Sequence, residues 1–134
     1  MPDHRSPIID HGQLPLAEPL PPTLSAVEAF QRLAHLPHVV FFDSAAIEAR
    51  LGRYSFVAAD PFETLGWPVG GSGALDRLAD RLAAMRSDTI PDLPPFQGGA
   101  AGLFSYDLGR QLETLPSPRY DEFGLPAMAV GLYD

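Results

Sequence analysis

The stretch that decides the fold is residues 95–110, which read PFQGGAAGLFSYDLGR. Residues 96–106 are mostly small and apolar, and this composition predicts a central strand of a sheet. Glycines at positions 98, 99 and 102 indicate close backbone approach or a bulge within that strand. Asp107 comes next, and we predict that it caps a short helix ending at Leu112.

The sequence on either side of this stretch predicts a strand and a helix. Toward the C-terminus, residues 114–126 are predicted to form a loop and residues 127–133 a last strand. Toward the N-terminus, Gly70-Gly71-Ser72-Gly73 is typical of a flexible turn, and residues 74–85 are predicted to form a helix. Its apolar residues recur on one face. They are Leu75, Leu78, Ala79, Leu82 and Met85.

Further upstream, two strands and a first helix are predicted. Residues 38–42 read HVVFF, a continuous β-branched and aromatic run that is typical of a buried strand. Residues 53–59 are predicted to form the next strand, which residues 64–67 can extend beyond Pro61. A helix is predicted to begin at Ser25, because Ser25 and Glu28 have the spacing of a capping box.

These elements predict one α+β domain over residues 23–134, with a mainly antiparallel sheet and two or three flanking helices. Residues 1–22 are rich in proline and are expected to be an irregular N-terminal segment. Only Ile8 and Ile9 in that segment are suited to a short edge strand. Because the last strand reaches almost to Asp134, we expect the chain to be a fragment or one domain of a longer protein.

Composition excludes several classes of function. A formal net charge of −8 argues against nucleic acid and anionic membranes as partners. All 9 basic residues are arginine, which excludes a Schiff-base lysine and a P-loop lysine. The absence of cysteine excludes a disulfide, a thiol nucleophile and a cysteine zinc site. No signal peptide and no apolar run of about 18 residues is recognisable, so a cytoplasmic protein is expected.

The residues by themselves favour no catalytic or metal site. His35 and His38 are separated by Pro37, where a regular helix is unfavourable, so a metal site built from them is not expected. Ser44 beside Asp43 can bind a small ligand, but a serine that caps a turn or a helix over residues 45–49 is favoured. Gly70–Gly73 is interpreted as a surface turn and not as an anion site. Four carboxylates are too scattered to predict an acid/base pair. They belong to Asp107, Glu113, Asp121 and Glu122.

Three blocks of sequence resemble a known family. Residues 95–110, with Glu113 after them, resemble the "PFQGGxxGxxxYDLGRxxE" segment of aminodeoxychorismate synthase component I. Residues 41–45 and 52–56, which read FFDSA and GRYSF, resemble the "LLxSA…GRYSF" region shared with anthranilate synthase component I. Residues 126–134, PAMAVGLYD, resemble the "PxMAVGxYD" strand of the family.

The resemblance implies the N-terminal part of the anthranilate synthase component I-like fold, with the C-terminal chorismate-binding domain absent. It implies a role in aminating chorismate to 4-amino-4-deoxychorismate for para-aminobenzoate and folate biosynthesis. Ammonia would come from a glutamine amidotransferase subunit, and Mg²⁺ would bind in the C-terminal domain, so this chain alone is expected to be inactive. Two alternatives stay open: the N-terminal domain of anthranilate synthase component I in tryptophan biosynthesis, or a non-catalytic tryptophan-binding or scaffold module.

The resemblance also implies a pocket for L-tryptophan. By position, Ser44 matches the serine of the "LLxS" motif, and Arg53, Tyr54 and Ser55 match the second strand of the pocket. A free amino acid needs acceptors for its ammonium, donors for its carboxylate and an apolar slot. Groups of these kinds are present, with the slot expected around Phe41, Tyr54 and Phe56. Anthranilate synthases typically have Leu-Leu-Glu where this sequence has Phe-Phe-Asp at 41–43.

Overall fold

The computed structural model describes residues 16–44, 46, 51–117 and 119–134. The chain contains helices and two antiparallel sheets, which confirms the predicted α+β class. In chain order the elements are α1 (Ala26–Leu33), β1 (Val40–Phe42), β2 (Phe56–Ala58), β3 (Glu63–Trp67), α2 (Ala74–Ala84), β4 (Gly99–Phe104), a 3-10 helix (Tyr106–Gln111) and β5 (Met128–Tyr133). None of the described helices is long and apolar enough to cross a membrane.

The larger sheet has the strand order β3-β5-β4, so β5 is its central strand. The prediction that residues 96–106 form a central strand is wrong in position, because β4 lies at the edge of the sheet. All residues of β5 except Ala129 are buried, as expected for a strand with a partner on both sides. The predicted last strand is confirmed as β5.

The smaller sheet is a separate hairpin of β1 and β2, in which Phe42 lies opposite Phe56. The sequence suggested that residues 64–67 extend β2, and this is wrong, because β3 belongs to the other sheet. The chain turns away at Asp60, which has a φ of 53° and is followed by Pro61. The strand predicted over residues 38–42 is shorter than expected because His38, with a φ of 50°, is not extended.

Both α-helices occur where the sequence predicted them. In α1, the Ser25 hydroxyl accepts from the Glu28 backbone N–H at 3.3 Å, and the Glu28 carboxylate accepts from the Ser25 N–H at 2.9 Å, which confirms the capping box. The hydrogen bond from the Ser25 backbone lowers the pKa of Glu28. The edge strand predicted at Ile8 and Ile9 lies outside the described residues, as does the helix predicted over 45–49 except for Ala46.

The core lies between the larger sheet and α2, with the 3-10 helix at its margin. Its buried members are Ala74, Leu78, Leu108, Ala127, Met128, Val130 and Leu132. The prediction that Asp107 caps this short helix is wrong, because Ser105 is at the cap position and the Asp107 carboxylate instead accepts from Arg110 Nε at 2.6 Å. Arg110 also donates to the carbonyls of Leu115 and Pro116, at 2.9 and 2.8 Å, and so holds the following segment against the helix.

Candidate functional site

The four residues that the sequence predicts as a ligand site flank one loop, the connection between β1 and β2. Ser44 follows β1 and is exposed, while Arg53, Tyr54 and Ser55 lead into β2. The hairpin register places Ser55 across from Asp43, and its hydroxyl donates to the Asp43 carboxylate at 2.6 Å. The fold therefore brings both sequence blocks to one end of the hairpin, where Asp43 and Ser55, 12 residues apart in the chain, are bonded.

Gly52 allows the two sides of this loop to meet. Its φ is +74°, a conformation that side chains disfavour. A Cβ at Gly52 would overlap the carbonyl oxygen of Ala46 and lie 3.5 Å from the Ser44 Cβ. The glycine of the GRYSF block thus lets the backbone before β2 approach the backbone after β1, which places Ser44 beside the strand that carries Arg53 and Ser55.

Arg53 and Tyr54 form a stacked pair at the start of β2. The Arg53 guanidinium carbon lies 5.1 Å from the centroid of the Tyr54 ring, within the range of a cation–π interaction. The Tyr54 ring is in turn 6.0 Å from the ring of Phe56. An exposed cation is therefore connected through one aromatic ring to the apolar surface of the hairpin.

An apolar cleft of about 460 Å³ lies between this hairpin and the edge strand β4. The hairpin wall consists of alternate residues of β1 and β2, as expected for one face of a pleated sheet. Four phenylalanines, two on each wall, provide the aromatic surface of the cleft. The rings of Phe56 and Phe96 meet edge to face, with their centroids 6.1 Å apart. The residues lining the cleft are Val40, Phe42, Phe56, Ala58, Pro95, Phe96, Ala100, Ala101, Gly102 and Phe104.

Of the three aromatic residues expected around the apolar slot, Phe56 lines this cleft, whereas Phe41 and Tyr54 do not. Phe41 was expected in the apolar slot, but its ring stacks on Phe30 of α1 at 5.0 Å, on the other face of the hairpin. Its neighbour Phe42 lines the cleft and is 50% exposed. Because successive strand residues point to opposite faces, only one of the two can contribute, and the packing of α1 on the hairpin decides which.

Sequence reasoning also missed the opposite wall of the cleft. Phe96 and Phe104 occur in the segment that carries the resemblance, where they were interpreted only as parts of a strand. Phe104 is 47% exposed and lines the same cleft as Phe42, which is 50% exposed; a contiguous exposed apolar surface of this kind, unlike a single exposed residue, indicates a candidate binding surface. That signal requires burial values and is not visible in the sequence.

The other groups weighed in the sequence do not converge. At the turn of Gly70–Gly73, the N-terminus of α2 is covered by the side chain of Gln111. This side chain accepts from the Ala74 N–H at 3.0 Å and donates to the Gly71 carbonyl at 2.8 Å. Asp121 accepts from the Gly124 N–H at 3.0 Å in a local turn, and Glu113 and Glu122 are exposed. Within the part of the chain that the structure describes, no three His, Cys, Asp or Glu side chains are grouped so that they could hold a metal ion.

Comparison with known proteins gives a consistent set of relatives. The chain is 40% identical over 120 residues to aminodeoxychorismate synthase component 1 of Escherichia coli, a match that covers 78% of the chain and 26% of that protein. The Salmonella typhimurium protein of the same name is 36% identical over 124 residues, covering 82% and 27%. Anthranilate synthase component 1 of Mycolicibacterium smegmatis is 29% identical over 143 residues, covering 94% and 27%.

The match has two limits. No protein-family model matches the chain. The chain also spans only about a quarter of the length of these relatives.

Proposed function

Because the chain belongs to the family of component 1 of aminodeoxychorismate and anthranilate synthases, we propose that it is the N-terminal domain of an aminodeoxychorismate synthase component 1. The longer protein would aminate chorismate to 4-amino-4-deoxychorismate, which leads to para-aminobenzoate and folate. The observation that carries the proposal is the 40% identity over 78% of the chain to an enzyme of that name. The YDLGR and MAVGLYD blocks favour the same branch.

The proposed role of this domain is support and ligand binding, with the chemistry performed elsewhere. The full-length enzyme is expected to need Mg²⁺, but the described residues offer no group that fits such an ion. We therefore assign the Mg²⁺ site and the acid/base residues to a chorismate-binding domain in the remaining length of the protein, and the ammonia supply to a glutamine amidotransferase subunit. The absence of cysteine is compatible with a reducing compartment such as the cytoplasm.

We expect the chain alone to form no product from chorismate, ammonia and Mg²⁺. The protein in its native length, assayed in the same way, should release 4-amino-4-deoxychorismate, detected by chromatography. If the product is anthranilate, the protein functions in tryptophan biosynthesis instead. The relative from Mycolicibacterium smegmatis supports this second candidate function. Aminodeoxychorismate formation by the chain alone would contradict the supporting role.

The proposed ligand of the cleft is L-tryptophan. Its indole would occupy the apolar space between Phe42, Phe56 and Phe104, which is large enough for an aromatic amino-acid side chain. The Ser44 hydroxyl, just after β1, would accept from the ammonium group, while the Asp43 carboxylate, on the same face of the hairpin as Phe41, is bonded to Ser55. The Arg53 guanidinium, which lies over Tyr54 at the end of the cleft's hairpin wall, would donate to the carboxylate.

Calorimetry with L-tryptophan tests this site. We expect saturable binding by the wild-type chain and an affinity about tenfold lower in Ser44→Ala, because one hydrogen bond to a charged group is lost. Ser72→Ala, which alters an exposed serine in the turn before α2, is the matched control and should bind as the wild type does. Equal heats for wild type and Ser44→Ala would remove Ser44 from the site, and no heat from the wild type would reject the pocket.

A further inference from the structure

Two linkers join the β1–β2 hairpin to the rest of the domain, and both have unfavourable backbone conformations. His38, before β1, has a φ of 50°, and Asp60, after β2, has a φ of 53°. The linkers are bonded to each other, because the Asp60 N–H donates to the Pro37 carbonyl at 2.9 Å. Non-glycine residues keep such conformations only where surrounding contacts hold them. Contacts that hold this pair of linkers therefore also hold the hairpin.

The Phe62 N–H, after β2, donates to the Leu132 carbonyl of β5 at 3.1 Å, and a side-chain contact is made by Tyr133, the last residue of β5. Its hydroxyl donates to the His38 carbonyl at 2.6 Å, across 95 residues of chain. Of the side-chain hydrogen bonds among the described residues, this is the one that connects the hairpin and its linkers to the larger sheet. Burial raises the pKa of Tyr133. A phenol with an ordinary pKa is already protonated near neutral pH, so the hydroxyl is able to donate there.

The position of the Tyr133 ring depends on a neighbouring glycine. Tyr133 is only 5% exposed, and its ring lies over Gly131. A Cβ at Gly131 would come within 2.7 Å of the Tyr133 hydroxyl oxygen, so any larger residue there would displace the ring. Gly131 thus leaves the space in which the hydroxyl reaches His38.

We propose that Tyr133 is a positioning residue that sets the width of the apolar cleft. Its hydrogen bond holds the start of β1 against the end of β5, two residues from Val40 in the hairpin wall. In the β4–β5 register Tyr133 lies opposite Gly99, the first residue of β4, and β4 supplies part of the other wall. Tyr133 therefore connects both sides of the cleft without lining it: its hydroxyl bonds to the linker before β1, and its backbone lies beside β4.

A distance measurement tests the proposal without any ligand. Because the chain has no cysteine, Gln31→Cys on α1 and Ala83→Cys on α2, both exposed positions, can carry two spin labels. Helix α1 reports on the hairpin because Phe30 stacks on Phe41. In the doubly labelled chain, Tyr133→Phe should increase about fivefold the population in which the two labels are farther apart, because one hydrogen bond is lost. Tyr106→Phe, at a position 83% exposed, should leave the distance distribution unchanged.

A second variant acts on the same contact by another route. Gly131→Ala keeps the hydroxyl but pushes the ring away, and it should shift the distance distribution in the same direction as Tyr133→Phe. A purely structural role for Tyr133 would lower the midpoint of unfolding and leave the distances of the folded chain unchanged. Distances identical to wild type in folded Tyr133→Phe would overturn the proposal.

The consequence for binding rests on the proposed tryptophan site and is measured separately. Tyr133→Phe should bind L-tryptophan about fivefold more weakly, although Tyr133 does not line the cleft. If the wild-type chain binds no tryptophan, the proposed ligand is wrong, while the spin-label distances still decide whether Tyr133 sets the cleft. If tryptophan binds and the affinity of Tyr133→Phe equals that of the wild type, the link between cleft width and binding is refuted.

Discussion

Gly102→Ala should lower the free energy of unfolding by roughly 3–5 kcal/mol, since it combines a disfavoured backbone conformation with a steric overlap. Gly102 has a φ of +151°, and a Cβ there would overlap the Ala129 carbonyl oxygen and lie 2.8 Å from the Val130 Cα. Both of these atoms belong to the backbone of the central strand β5, so the overlap cannot be relieved by a change of side-chain rotamer. Relief requires β4 to separate from β5 along the edge that forms one wall of the cleft.

Urea unfolding followed by circular dichroism measures this change, and Gly66→Ala is the matched control. Gly66 lies on β3, at the opposite edge of the same sheet, and a Cβ there would meet nothing within 4 Å. The free energy of unfolding of Gly66→Ala should differ from that of the wild type by no more than about 0.5 kcal/mol. Equal stability of the Gly102 and Gly66 variants would show that β4 and β5 are farther apart than described above.

Leu132→Ala should lower the free energy of unfolding by about 3 kcal/mol, because it leaves a cavity in the core. Leu132 is on β5, has an exposure of 0%, and belongs to the cluster that packs β5 against α2. Its neighbours on either side are backbone-paired strand residues, Glu63 on β3 and Ala100 on β4, so the cavity cannot close by movement of a loop.

The same unfolding measurement on Leu112→Ala provides the comparison for the core. Leu112 follows the 3-10 helix and is 76% exposed, so removing its side chain should change the free energy by less than about 0.5 kcal/mol. A loss in Leu112→Ala as large as that in Leu132→Ala would mean that the stabilising apolar surface of the isolated chain lies outside the β5–α2 core.

Elements that depend on contacts close in sequence were predictable. The capping box of α1 needs only Ser25 and Glu28, three residues apart, and α2 needs only its own apolar periodicity. The resemblance assigns Ser44 and the Arg53–Ser55 block to a ligand site, and that assignment stays a prediction. The structure adds the contact between Asp43 and Ser55 that brings the two blocks together.

Features that depend on which strands become neighbours were not predictable. The apolar composition of residues 96–106 was taken for that of a central strand, yet a glycine-rich strand at an edge beside a hairpin is equally apolar, because the hairpin faces it across the cleft. The assignment of β2 and β3 to different sheets depends on the backbone at Asp60, which has a positive φ. The residue type alone does not predict that conformation.

The sequence by itself determined where helices and strands occur and to which family the chain belongs, because these depend on local periodicity and on blocks of residues read in order. Only the tertiary structure decided that β5 is central, that Phe42 and not Phe41 faces the cleft, and that Tyr133 reaches His38. The physical reason is that strand pairing and the choice of face are set by contacts between residues far apart in the chain, and a pleated strand offers both of its faces until such a partner covers one of them.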